Sequence, residues 1–243
     1  MNVYVPEYYA RFRCVASECR NTCCAGWEID IDPDSLARYQ RMTGSFGTRV
    51  KRSISLDGTP HFILTEHERC PLLNQDNLCD LILHEGKDAL CQICRDHPRF
   101  RNYFSSRVEM GLGLVCGEAA RMLLSWPAPL RLILLEGDGT GEPTEDERYL
   151  FGLRDEWLSS LPEEGPLARL METLIYRHLA GALWDGRLDE RIAFIQRAFA
   201  SITDGWQDGC LDSLVERARV FSDTVEYDDE VLERWIAQSP HDE

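Results

Sequence analysis

Long apolar runs are missing from this chain of 243 residues: no stretch approaches the roughly 18 apolar residues of a membrane span, which argues against a membrane partner. The opening residues MNVYVPEYYARFRC lack the basic start and apolar run of a secretory leader. A soluble, cytoplasmic protein is the expectation. Lysine is scarce, with Lys51 and Lys87 the two lysines among 26 basic residues. Codon bias explains that trait as well as any function does. Fixed-period repeats, low-complexity tracts and long linkers are also missing, which argues against a solenoid and against overall disorder.

What is abundant is cysteine, and nine of the ten cysteines lie between Cys14 and Cys116. A disulfide framework would suit an even count in a secreted chain. In a reducing compartment, clustered thiols are better explained as metal ligands, because a metal-bound thiolate resists the glutathione chemistry that opens ordinary pairs. Cys19-x3-Cys23-Cys24, Cys70-x8-Cys79 and Cys91-x2-Cys94 form three arms able to converge on one point. The candidate metal ligands are therefore Cys19, Cys23, Cys24, Cys70, Cys79, Cys91 and Cys94. Cys14 and Cys116 are outer members, and Cys210 stands apart. Soft thiolates suit zinc and an iron–sulfur cluster alike. Adjacent Cys23 and Cys24 point in different directions on extended backbone, so one of them is expected at a given centre.

Charge is distributed unevenly. Up to Leu123, 15 Arg and Lys stand against 16 Asp and Glu; beyond it, 11 stand against 26, so nearly all of the net −16 belongs to the second half. That half would repel phosphate backbones, which excludes nucleic acid as its partner and leaves basic protein surfaces attractive. A solvated acidic helical surface is the simplest reading.

Local patterns place the cysteines on short elements. Cys14 to Cys24 shows neither helical nor strand periodicity and reads as irregular loop. Trp27 to Ile31 alternates as a short extended segment. Asp32-Pro33 is an N-cap and first-turn pair for a helix stopping near Gly44. A hairpin is expected from Ser53–Leu56 and Phe62–Leu64 around Asp57-Gly58, with Pro60 at its edge. Helices are expected over Leu78–His84, stopped by Gly86, and under Cys91 and Cys94, whose spacing puts both thiols on one face. Arg99 to Leu114 reads as a second hairpin around Ser105-Ser106, followed by helix over Gly117–Leu124. Beyond the polar loop Gly137 to Glu147, helical spacing recurs near 145–160, 166–184, 187–202, 209–221 and 228–238. The fold class is α+β, mainly α: a cysteine-rich metal-binding domain over 1–125 with short hairpins and helices, then an acidic all-helical domain over 146–243.

Several residues bear on chemistry. A radical S-adenosylmethionine signature requires Cys-x3-Cys-x2-Cys; here Cys24 follows Cys23 directly, and Lys87 stands where a third cysteine should precede Cys91. Leu134 to Gly141 superficially matches a methyltransferase glycine loop, but no strand–helix–strand pattern follows, so it reads as an ordinary turn. Arg95 and Arg99, with His97 and Arg101, flank two thiols. They suit neutralising an anionic cluster or holding a carboxylate of substrate or cofactor, or pairing with Asp96 and Glu109. His61, His67 and His84 lack ligand spacing. Tyr8, Tyr9, Phe12, Trp27 and Tyr103 are candidates to cover a metal site.

The motifs Tyr8-Tyr9-x2-Phe12-x-Cys14, Cys19-Arg20-Asn21-Thr22-Cys23-Cys24-x-Gly26-Trp27, Cys70-Pro71-Leu72-Leu73, Leu78-Cys79-x-Leu81, Leu90-Cys91-x2-Cys94-x3-Pro98-Arg99 and Glu109-x-Gly111-Leu112-x-Leu114-x-Cys116 occur in order through the first half. Together they resemble the flagellin lysine-N-methylase family and a broader cysteine-cluster group that chelates zinc or iron. The resemblance implies methyl transfer from S-adenosylmethionine to lysine ε-amines of flagellin. It further implies a metal centre, with a 4Fe-4S iron–sulfur cluster favoured over zinc. A non-enzymatic module for metal handling or partner docking is the alternative.

Overall fold

The computed structural model describes residues 1–207 and 209–238. In chain order it forms β1 (Asn2–Pro6), α1 (Pro33–Arg41), α2 (Gly44–Arg52), β2 (Ile54–Ser55), β3 (His61–Phe62), α3 (Asp80–Glu85) and α4 (Gln92–Asp96). There follow β4 (Arg99–Tyr103), β5 (Arg107–Leu112), α5 (Gly117–Leu124), β6 (Leu132–Glu136) and α6 (Glu145–Ser159). The chain closes with α7 (Pro166–His178), α8 (Ala182–Asp185), α9 (Leu188–Thr203), α10 (Leu211–Phe221), a π turn over Ser222–Glu226 and α11 (Asp229–Ala237). The fold is α+β and mainly α. Among the described residues, no helix is long and apolar enough to cross a membrane.

Two compact units result, one of Cys14–His97 and one combining Met1–Arg13 with Pro98–Glu243. This division differs from the expected break at 126–146. The reason is strand pairing: β1 lies between β5, to which it is parallel, and β6, to which it is antiparallel, in a sheet ordered β4-β5-β1-β6. The first residues are thus tied to strands that lie a hundred or more positions away. Neither β1 nor β6 was expected from the sequence, since each is five residues long and lacks a hairpin partner next to it.

In the larger unit, α5 to α11 supply most of a core that includes Leu123, Leu170, Leu174, Phe194 and Leu214, all at most 2% exposed. The helices over 146–238 agree with the sequence periodicity, and no strand follows β6 among the described residues. Thr144 and Glu147 form a reciprocal capping box at the start of α6. The Arg99–Leu114 hairpin forms as β4 and β5, registered from Arg99↔Leu112 to Tyr103↔Val108. Gly111 is required within it, because a Cβ there would run into the Phe100 ring and meet the Tyr176 ring at 2.9 Å. Two arginines neutralise the fully buried Glu109: Arg154 Nη1 lies 2.6 Å from its Oε2 and Arg107 Nη2 lies 2.5 Å from its Oε1. A bare carboxylate would be costly at that depth.

The smaller unit has a separate core of Ile29, Ile31, Tyr39, Val50, Phe62, Leu72, Leu81 and Ala89, into which Cys70 and Cys91 are also buried. Asp32 caps α1 by accepting from the Ser35 amide at 3.0 Å, and Pro33 starts the first turn. The expected hairpin forms with register Ile54↔Phe62 and Ser55↔His61. Phe62 also donates its amide to the Ile29 carbonyl at 3.1 Å, so the alternating segment lies alongside β3 with Ile29 and Ile31 inward.

Candidate metal centre

The backbone brings the cysteine arms together. The Cys70 amide donates to the Cys24 carbonyl at 2.8 Å, and the Gly26 amide donates to the Glu68 carbonyl at 3.1 Å. Ala25 and Arg69 are bridged between these two bonds. Gly26 turns the chain at φ +90°, a conformation suited to glycine. Opposite it, His67 and Glu68 are both left-handed, at φ +57° and +55°. Such consecutive non-glycine residues are strained, and the strain is localised beside the cysteine loops.

Cys70 and Cys79 belong to one tight loop. Asp80 donates its amide to the Leu72 carbonyl at 2.8 Å, Asn74 donates to Leu78 at 2.9 Å, and Leu73 is bridged to Cys79. The third arm is anchored through Asp32, whose Oδ2 accepts the Gln92 amide at 2.7 Å while its Oδ1 caps α1. One carboxylate therefore couples the starts of α1 and α4. Burial opposes ionisation of Asp32, but the Gln92 and Ser35 hydrogen bonds win and lower its pKa. Tyr39 continues this anchoring by donating its hydroxyl to the Ala89 carbonyl at 2.8 Å.

The thiols of Cys24, Cys70, Cys79, Cys91 and Cys94 are close enough for their charges to influence one another. A hydrogen bond from Cys23 lowers Cys24 to about 7, outweighing burial, with Thr22 and the Arg69 charge assisting. Burial pushes Cys70 up to about 12, and the charges of Cys24, Cys79 and Cys91 add to the effect. Cys79 is also raised, by burial first, although the Ile82 and Leu81 amides counter it. In the Cys91–Cys94 pair the shared hydrogen bond lowers the pKa of Cys91 and raises that of Cys94.

Cys79 and Cys91 occupy the N-cap positions of α3 and α4. Neither makes a side-chain cap hydrogen bond; nearby amides favour the charged form of each sulfur, but at Cys79 burial outweighs them. Cys24, Cys70, Cys79, Cys91 and Cys94 lie within electrostatic reach of one another, and thiolates are the donor type a soft metal takes. Among the described residues, no three Cys, His, Asp or Glu side chains already stand grouped as metal ligands.

The remaining candidates are placed differently. Cys23 is exposed beside Cys24, while Cys19 is half-buried after a short helical turn over Ala16–Glu18. Cys14 is exposed, and its sulfur accepts from the Ala16 amide at 3.4 Å. Cys116 and Cys210 are in the larger unit, at the N-caps of α5 and α10. Arg95 lies on α4, whereas Arg99 belongs to the larger unit and places its guanidinium over the Tyr9 and Phe12 rings, at 5.6 and 5.5 Å from their centroids. Glu109 pairs with Arg107 and Arg154.

Trp27 packs among the thiol-bearing residues, stacks on His97 with centroids 6.2 Å apart, and donates its indole N–H to the Cys23 carbonyl at 2.8 Å. Tyr8, Tyr9 and Phe12 are instead buried in the core of the larger unit, and Tyr103 is 58% exposed. Their place in the sequence beside Cys14 and the Cys91 arm was no guide, because the unit boundary falls between Arg13 and Cys14. The sequence also gave no sign of the Asp32–Gln92 tie, which spans 60 positions. Near α1, a surface cleft of about 360 Å³ is lined by Arg38, Arg41, Met42, Glu85, Asp88 and Ala89, and none of the ten cysteines lines it.

Comparison with known proteins supplies relatives. Over 146 residues, 54% of this chain, it is 30% identical to a lysine-N-methylase of Salmonella typhimurium, covering 35% of that protein. A lysine-N-methylase of Salmonella choleraesuis is 29% identical with the same coverage. A flagellar biosynthetic protein FliU of Salmonella muenchen is 27% identical over 139 residues, covering 54% of this chain and 82% of FliU. The chain thus spans about a third of the length of the two methylases it matches. No family model matches it. No solved structure matches it. The resemblance to lysine-N-methylases seen in the motifs is thereby shown, over about half of the chain.

Proposed function

We propose that this chain acts in lysine N-methylation of a flagellar protein, with flagellin as substrate and S-adenosylmethionine as methyl donor. The similarity to two proteins named lysine-N-methylase and to FliU carries this reading. In the reaction the lysine ε-amine must first lose its proton. Its lone pair then forms an N–C bond to the sulfonium methyl, while the C–S pair returns to sulfur and leaves S-adenosylhomocysteine. A carboxylate or His97 is the proposed proton acceptor. Arg95 in the smaller unit, or Arg99 in the larger, is proposed to hold a carboxylate of the methyl donor.

Cys24, Cys70, Cys79, Cys91 and Cys94 are the proposed inner donors of a metal centre, with Cys19 and Cys23 as outer candidates. Their gathered thiols support this reading. A four-iron cluster or zinc would cross-link loops that are otherwise held by a few backbone bonds. The setting proposed is the cytoplasm.

Incubating metal-replete protein with labelled S-adenosylmethionine and purified flagellin tests the enzymatic reading. Label on flagellin lysines is expected; none would overturn it. The electrostatically coupled cysteines favour one second reading, a metal-binding module that docks a partner without catalysis.

A further inference from the structure

Strand β6 is the edge of its sheet, pairing with β1 on one side. Along any antiparallel edge strand, alternate N–H and C=O groups face away from the partner and can pair with another chain. Natural edges are commonly guarded by charge or proline. Here Leu132-Ile133-Leu134-Leu135 has neither, and Ile133, Leu134 and Leu135 are 40%, 41% and 52% exposed. The register against β1 skips Leu135, leaving Leu132 to Leu134 as the regular part of the edge, registered against Pro6, Val5 and Tyr4.

The surroundings select the occupant. From Leu132 to Glu147 there is no Lys or Arg, and Glu136, Asp138, Glu142, Glu145 and Asp146 are all exposed. A second copy pairing through its own β6 would bring another such acidic segment alongside, between chains of net charge −16 each. A basic segment meets the opposite situation. We infer that β6 is a docking edge for an extended, apolar and lysine-bearing segment of a partner protein, added as a fifth strand. The main chain would supply pairing, Leu134 would contact apolar side chains on its face of the sheet, and the acidic run would favour lysine on the other. That the partner carries lysine rests on the lysine-methylation reading.

The test uses fluorescence anisotropy of a dye-labelled peptide of alternating Val and Lys, without methyl donor. Two control peptides have alternate backbone nitrogens methylated or Lys replaced by Glu. Each control is expected to bind at least about tenfold more weakly, and L134K should weaken the Val-Lys peptide similarly. Equal binding of the N-methylated peptide, or undiminished binding to L134K, would overturn the inference. So would a wild-type dimer that L134K converts to monomer and that binds no peptide. If flagellin is methylated equally by wild type and L134K, the edge is not the substrate's dock and the methylation reading stands. If the peptide binds β6 but flagellin is never methylated, the edge stands and that reading falls.

Discussion

Cys70 donates its backbone N–H to the carbonyl of Cys24 at 2.8 Å, joining two cysteine arms that lie 46 positions apart. The bond is made by the main chain and does not depend on either sulfur. Side-chain replacement at these positions therefore separates metal binding from the local fold.

Cys24→Ser and Cys70→Ser should each lower bound metal per protein while leaving secondary structure intact by circular dichroism. Cys14→Ser, at an exposed position, should leave the metal content unchanged. Elemental analysis of all three variants, purified anaerobically, checks this.

Asp32→Ala should cost about 1–2 kcal/mol, because it removes the cap of α1 and also the acceptor for the Gln92 amide. Asp32→Asn should recover only part of the loss, since its single side-chain oxygen can cap α1 but its NH2 group cannot accept the Gln92 amide. Denaturant midpoints provide the comparison.

A third prediction concerns pH. Glu226 is fully buried, and its Oε1 lies 2.5 Å from His178 Nε2. Burial alone would raise its pKa, but Arg177 first, then His178 and Ser222, lower it to about 2. His178 is lowered too, by burial first, and Arg177 Nη1 lies 3.6 Å from the other Glu226 oxygen. Both folded-state values lie below the ordinary ones of 4.5 and 6.5, so the unfolded chain takes up protons first as pH falls. The stability these groups contribute is full above about 6.5, the ordinary histidine value, and is lost progressively on acidification. Glu226→Gln should cost about 3–5 kcal/mol at pH 7 and flatten the dependence of Tm on pH between 6 and 3, as measured by thermal melts across that range.

Gly111→Ala should destabilise by about 1–3 kcal/mol or more, because the new methyl meets two buried rings. Gly152→Ala, where a Cβ meets nothing within 4 Å and the residue lies inside α6, should be neutral or stabilising. Equilibrium unfolding of the pair distinguishes packing from backbone freedom.

Local signals in the sequence read well. The Asp32-Pro33 cap, the hairpin around Asp57-Gly58, Gly86 after α3 and the helices beyond 145 all act within a few residues, where propensity and periodicity operate. Long-range pairing was hidden. Asn2–Pro6 contains too few residues to declare a strand between β5 and β6, and that pairing moves the unit boundary to Arg13. At the cysteines, spacing identified the arms and Trp27 as a neighbour. The pairing of the Cys24 and Cys70 segments runs beside two left-handed residues, His67 and Glu68, that no motif marks.

The most direct measurement is the metal content of the full chain purified without oxygen, together with its visible absorbance. The account predicts bound metal that falls in Cys24→Ser, Cys70→Ser and Cys91→Ser, with a brown colour if the centre is iron–sulfur and none if it is zinc. Metal-free protein that still methylates flagellin, with all three variants behaving as wild type, would contradict it.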